Sequence, residues 1–214
     1  MKGHINKLVL LMIITVIASF ILAATVLADA PGHRAIRGQY AATGFQTCLL
    51  AQCGFLGNYV PRAASYGFGS TQSLSIEGVF KFKADGTGTA SITKRSINFA
   101  PTLPTIPSAS AGVVIDTWTF TYTVAGDGSY TMEPDPETYI STWTLGPYVP
   151  SSYTMSGWLF NGTITPDGKT ITLNTGIPTV ATLDPPIVGP PCPNAQLICN
   201  TSVVLIWQHD IDEE

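Results

Sequence analysis

Charge is what this chain has least of. Asp, Glu, Lys and Arg make up 11% of its 214 residues, against about 25% in an ordinary globular domain. The few basic side chains form no stripe able to displace counterions from phosphate, which argues against a nucleic-acid partner. Histidine is scarcer still. Of His4, His33 and His209, the first lies in the basic start ahead of the N-terminal apolar run and the others near the two ends of the remaining chain. No G-x-S-x-G, no H-E-x-x-H and no glycine-rich phosphate loop is present, so nothing pairs a nucleophile with a base. The expectation is a non-enzymatic protein with no catalytic residues, no metal and no cofactor. Helical periodicity is missing beyond the N-terminal segment, and no second long apolar run succeeds the first.

That first run, Leu8 to Leu27, comes after Lys2, His4 and Lys7 and ends at Ala28-Asp29-Ala30. A basic start, an apolar stretch and a small-x-small site describe an export signal. Pro31 would hinder a cut after Ala30, so the cut is placed after Ala28. Retained, the run is long enough to anchor the chain in a bilayer, and this is the one route to a membrane. Residues 1–28 are thus the signal, 29–37 a tail, 38–209 a single domain and 210–214 an acidic tail. Signal and composition are of a bacterial type, and the product is exported, periplasmic or extracellular. Removing Lys2 and Lys7 from the ten basic side chains leaves eight against fourteen acidic ones. Four cysteines remain, Cys48, Cys53, Cys192 and Cys199, and an even number beyond an export signal reads as two disulfides. Zinc would want a closer knuckle and a nearby histidine. Of three connectivities, the short loops favour Cys48 with Cys53 and Cys192 with Cys199.

What the domain has in abundance is alternation. In residues 73–84, Leu74, Ile76, Phe80 and Phe82 share one face and Ser75, Glu77, Lys81 and Lys83 the other, the period of a half-buried strand. Asp85-Gly86 turns the chain into 87–97, where Gly88, Ala90 and Ile92 share a face. Asp127-Gly128 and Asp167-Gly168 repeat the device, and a glycine there is expected at positive φ. Further strands are expected at 38–43, 113–124, 129–132, 139–145, 152–165, 169–175 and 197–208. Residues 44–72 break the pattern and read as a loop over one end of the sheet, with one or two helical turns at 47–52. Proline-rich stretches at 101–112 and 177–195 read as connections. The fold class expected is all-β, an antiparallel up-and-down meander of about eight strands, closed as a barrel rather than stacked as a sandwich.

Isolated chemistry is thin. Asp116 shares the parity of Trp118 and Phe120, which would turn it inward near a barrel mouth as a buried carboxylate of functional interest. The plainer expectation shortens the 113–124 strand to begin at Thr117 and leaves Asp116 in solvent. Glu133, Asp135 and Glu137 are split by Pro134 and Pro136 and lack the ligand spacing of a calcium loop. Asn161 and Asn200 open glycosylation-type triplets that matter only in a host that glycosylates.

The aromatics are the informative set. Phe80, Phe82, Trp118, Phe120, Tyr122, Trp143, Trp158, Phe160 and Trp207 fall mostly on inward faces of several strands. They make either an ordinary core or the wall of a cavity for a small hydrophobic molecule. Trp118, Phe120, Trp143 and Trp158 are expected to line one such cavity. An exported meander that opens with Gly38-Gln39-Tyr40 and carries a long loop after its first strand resembles the lipocalin (calycin) barrels. Their opening strand carries Gly-x-Trp, here with Tyr40 in the Trp position, and the likeness covers residues 38–208 as architecture. The resemblance implies a barrel that binds a small hydrophobic ligand, with the 44–72 loop as its lid. The alternative is a structural or adhesive envelope protein with a filled core.

Overall fold

The computed structural model describes residues 36–51, 53–57, 60–62, 70–99, 109–145, 151–175, 179–184 and 195–210. The signal, most of the tail before Gly38, Cys192 and the last four residues lie outside them. Eleven strands fill the described chain: β1 (Gly38–Ala51), β2 (Ser70–Phe82), β3 (Thr87–Phe99), β4 (Ala109–Val124), β5 (Ser129–Pro134), β6 (Ile140–Leu145), β7 (Ser151–Ser156), β8 (Phe160–Ile164), β9 (Thr170–Asn174), β10 (Thr179–Asp184) and β11 (Ala195–His209). All pair antiparallel, and β1 closes on β11 from Gln39↔His209 to Ala51↔Gln196. The sheet is therefore a ring of eight strands at any level, though not evenly disposed around an axis.

Eleven strands make a ring of eight because three of the eight are interrupted. β4 pairs with β6 through residues 113–117 and with β5 through 120–124. β11 likewise pairs with β10 through 195–199 and with β9 through 202–206. β5 with β6, β7 with β8, and β9 with β10 are thus three long strands, each broken near the middle. At two breaks a threonine hydroxyl stands in for the missing ladder. Thr138 Oγ1 accepts from the Thr119 amide at 2.9 Å. Thr175 Oγ1 accepts from the Thr201 amide at 2.9 Å and donates to the Cys199 carbonyl at 3.0 Å. Few buried backbone groups can stay unpaired without cost, and these hydroxyls keep two breaks satisfied.

The three Asp-Gly turns lie together at one end. Gly86, Gly128 and Gly168 have φ of 84°, 81° and 70°, as expected for a left-handed residue closing a bulged hairpin. Each aspartate accepts from the amide two residues on, at Thr87, Ser129 and Lys169. Those hydrogen bonds, with the hydroxyls of Thr87, Ser129 and Thr165 foremost, hold the three carboxyls below their ordinary range.

Several expected boundaries are corrected. β1 does not stop at residue 43 but runs to Ala51, so residues 47–51 are strand rather than helical turn. Gln46, Cys48 and Leu50 continue the inward parity of Tyr40 and Ala42, while Phe45 points out and is 74% exposed. The alternation was there, with polar residues on the dry side. β4 begins at Ala109 rather than Val113. The strand expected at 152–165 is split by Gly157–Leu159 into β7 and β8. Within the expected loop 177–195, residues Thr179–Asp184 form β10, held between β7 and β11. Leu145 shares the parity of the buried Trp143 but ends β6 at 60% exposure.

Candidate functional site

The interior has two compartments. Toward the Asp-Gly turns it is packed with rings. Phe82, fully buried, has its ring centroid within 6.3 Å of those of Tyr40, Phe80, Phe120, Tyr122 and Tyr130, mostly edge to face. Met132, Ile171, Leu173 and Leu205 fill the remainder. Tyrosine hydroxyls seal this end against the turns: Tyr40 donates to the Gly168 carbonyl at 2.6 Å, and the Tyr122 hydroxyl lies 2.7 Å from the Lys83 carbonyl and 2.9 Å from that of Ile36. Burial pushes both phenols up to about 12.

Toward the opposite end, where β1 finishes and β11 begins, the inward positions turn polar. Gln46, Gln72, Lys94, Ser96, Asn98, Asp116, Ser141 and Thr201 are all buried. At their centre Lys94 Nζ lies 2.6 Å from Asp116 Oδ2, and the same oxygen accepts from the Tyr139 hydroxyl at 2.8 Å. Burial first, then the Asp116 charge, pushes the Tyr139 phenol well above its ordinary value, so it stays a donor. Lys94 also sits 5.8 Å from the ring centre of Trp158, a distance at which a cation is drawn to an indole face. Asp116 is wholly buried, which corrects the expectation that it lies in solvent. Because β4 starts at Ala109, the residue falls within the strand opposite Ile92 and keeps the inward parity of Trp118.

Beside the pair is a chamber of about 40 Å³. Polar groups line it (Gln46, Gln72, Lys94, Asp116, Ser141), and so do Leu50, Leu74, Trp143, Met155, Trp158, Leu197 and the Cys48–Cys199 bridge. It has room for about three water molecules, well short of the roughly 300–1,000 Å³ of a drug-sized site. A second void of about 10 Å³ lies deeper, against Phe80, Trp118, Tyr139 and Phe160. Asp116 Oδ1 and Trp158 Nε1 are buried with no hydrogen-bond partner among the described residues. Such groups carry a desolvation penalty of about 1–3 kcal/mol each, more when charged.

The nine aromatics are therefore divided rather than gathered round one space. Trp143 and Trp158 line the chamber. Trp118, stacked on Tyr139 at 4.9 Å, borders only the smaller void with Phe80 and Phe160. Phe82, Phe120 and Tyr122 belong to the filled end. Trp207, partly buried, packs against the core at that end with Lys169 over its ring at 5.7 Å. Sequence reasoning passed over Lys94, although it continues the parity of Ala90 and Ile92. It took 139–145 as one strand without linking Tyr139 to Asp116, because Tyr139 lies in the break between β5 and β6. Met155 and Leu197 also went unnoticed.

The cysteines are paired differently from the expectation. Cys48 bonds to Cys199, 151 residues away, instead of Cys53 to Cys48 and Cys192 to Cys199. The two are register partners on β1 and β11, so the ring closure that brings the chain ends together decides the pairing, and nearness in sequence does not. Cys53 is disulfide-bonded as well. The bridge is consistent with an oxidising, exported environment.

Neither a family model nor a curated protein matches this chain.

Proposed function

We propose that the protein is an exported, non-enzymatic barrel of the lipocalin type that takes a small hydrophobic ligand at the end bridged by Cys48–Cys199. One observation carries the reading. The chamber has a wall of Leu50, Leu74, Trp143, Met155 and Leu197 together with the polar side chains of Gln46, Gln72, Lys94, Asp116 and Ser141, the composition of a small-molecule site. The filled end makes a rigid floor, and the ligand's bulk lies toward the rim. Native mass spectrometry of the chain purified from its own host tests this: a retained small molecule is expected, released on denaturation. Apoprotein alone, with no mass gained from apolar additives, speaks against it.

A second reading has its own observation. With the chamber at only about 40 Å³, the interior also suits a structural or adhesive envelope barrel whose outer face meets a partner. Ile97, Phe99, Ile115 and Leu145, exposed on neighbouring strands β3, β4 and β6, would be the contact surface.

A further inference from the structure

The two ends of the barrel differ outside as well as within. Lys83, Asp85, Asp127, Asp167, Lys169 and Asp210 are gathered at the filled end, with the Asp-Gly turns. The chain also enters there, where the Tyr122 hydroxyl meets the Ile36 carbonyl. At the chamber end the exposed charges among the described residues are Arg62 and Asp184, apart from the mutually paired Glu77 and Arg95. The connections that leave this end, residues 100–108, 146–150 and 185–194, contain no Asp, Glu, Lys or Arg.

What is exposed at the chamber end is apolar. Ile97 and Phe99 stand out from the end of β3, and Leu145 from the end of β6. Leu56 and Val60 are exposed on a short hairpin after β1, closed by the Leu56 amide donating to the Val60 carbonyl at 2.9 Å. The Phe55 amide donates to Gln196 Oε1 at 2.8 Å, which pins that hairpin to the start of β11. On β3, Ser96 and Asn98 turn inward while Ile97 and Phe99 turn out, and on β1 Gln46 turns inward and Phe45 out. Water around the barrel gives no reason for that inversion. An apolar outside around a polar inside is how strands sit in lipid.

We infer that the chamber end docks on a lipid surface, with Leu56, Ile97, Phe99 and Leu145 entering the headgroup boundary of an uncharged, zwitterionic bilayer. These side chains come from three places on the ring, the β1–β2 connection, β3 and β6, and a fluid plane can meet all three together. A single exposed cation balanced by a single anion supplies none of the polybasic attraction that anionic lipid requires, so apolar insertion carries the contact. This route to a bilayer is separate from the N-terminal run, which joins the domain at the opposite end. It names the partner for the exposed residues of the second reading above and rests on that reading, and it does not depend on the chamber's holding a ligand.

The test uses the full chain purified from its exporting host and vesicles of phosphatidylcholine brominated along the acyl chains, which quench indoles that enter lipid. Phe99→Trp should be quenched. Ile206→Trp, at a position equally exposed but toward the filled end, should not, each read against the native indoles of the unaltered protein. Adding Leu56→Ser and Ile97→Ser to the Phe99→Trp chain should cut its quenching at least about threefold, since apolar area is what binds. High salt should leave the quenching unchanged, because no net charge is being matched. Quenching confined to vesicles that contain anionic lipid, or as strong at residue 206 as at 99, would overturn the inference. A dimer that Ile97→Ser dissociates in sedimentation, with no quenching, would overturn it too, while keeping the contact surface as an interface between copies. Neither quenching nor self-association would remove the contact-surface reading along with the inference.

Discussion

On the paired strands β3 and β4, Ala90 faces Trp118 while one step toward the rim Ile92 faces Asp116 and Lys94 faces Val114. Within two register positions the interior passes from stacked rings to a buried ion pair. The ring-filled end is held by dispersion and apolar burial, where each buried aromatic or aliphatic side chain contributes about 1.5–3 kcal/mol. The other end desolvates two charges whose attraction does little more than repay that cost. Stability alone gives no reason for Lys94 and Asp116. An apolar pair of similar volume would hold the strands as well or better, so the polar end is where a role other than folding belongs.

The contrast can be disrupted most severely at the ion pair. Lys94→Met leaves Asp116 buried and uncompensated and should cost about 3–5 kcal/mol. Adding Asp116→Leu to the same chain should return most of that loss. Urea unfolding of the two variants measures it, and a double variant as unstable as the single one would mean that the pair itself holds the barrel together. At the filled end, Phe82→Ala removes a ring in contact with five others and should likewise cost about 3–5 kcal/mol. Trp143→Ala at the chamber wall should cost less than about 3 kcal/mol, because one side of the indole already borders open volume. Equal losses at Phe82 and Trp143 would erase the distinction between the ends.

Smaller perturbations refine it. Gly112 lies under the Trp143 ring so closely that a methyl there would overlap the indole. Gly112→Ala should therefore cost about 1–3 kcal/mol and push Trp143 into the chamber, which thermal unfolding and tryptophan emission would both register. The mildest effect is alkaline. Tyr40 and Tyr122 bind their protons more tightly folded than unfolded, since their phenols rise from 10.0 to about 12. Their contribution is whole below pH 10 and is lost as pH climbs toward about 12. Stability should fall across that window, and Tyr122→Phe should flatten the fall.

Legibility from sequence divides along the same line. At the filled end the rule that inward residues are apolar holds, so Phe80 and Phe82 announced their strand and Asp-Gly announced its turn. At the polar end the rule inverts. Gln46, Lys94 and Asp116 point inward while Phe45 and Ile97 point out, and the alternation of β1 past residue 43 was lost in consequence. Parity alone, carried along the strand without regard to residue type, would have placed all three. The strand breaks resisted for another reason. Inward parity shifts from Met132 and Pro134 to Tyr139 and Trp143, so no periodicity connects the two halves. The Cys48–Cys199 bridge depends on ring closure between the first strand and the last, which local spacing does not encode.

The four indole N–H groups allow the contrast between the ends to be read in one experiment. In a ¹⁵N-indole NMR titration of the unaltered protein with 1-hexanol, saturable shifts are expected at Trp143 and Trp158, with Trp118 and Trp207 unmoved. Shifts at all four alike, or at none, would contradict a barrel with one receptive end and one filled end.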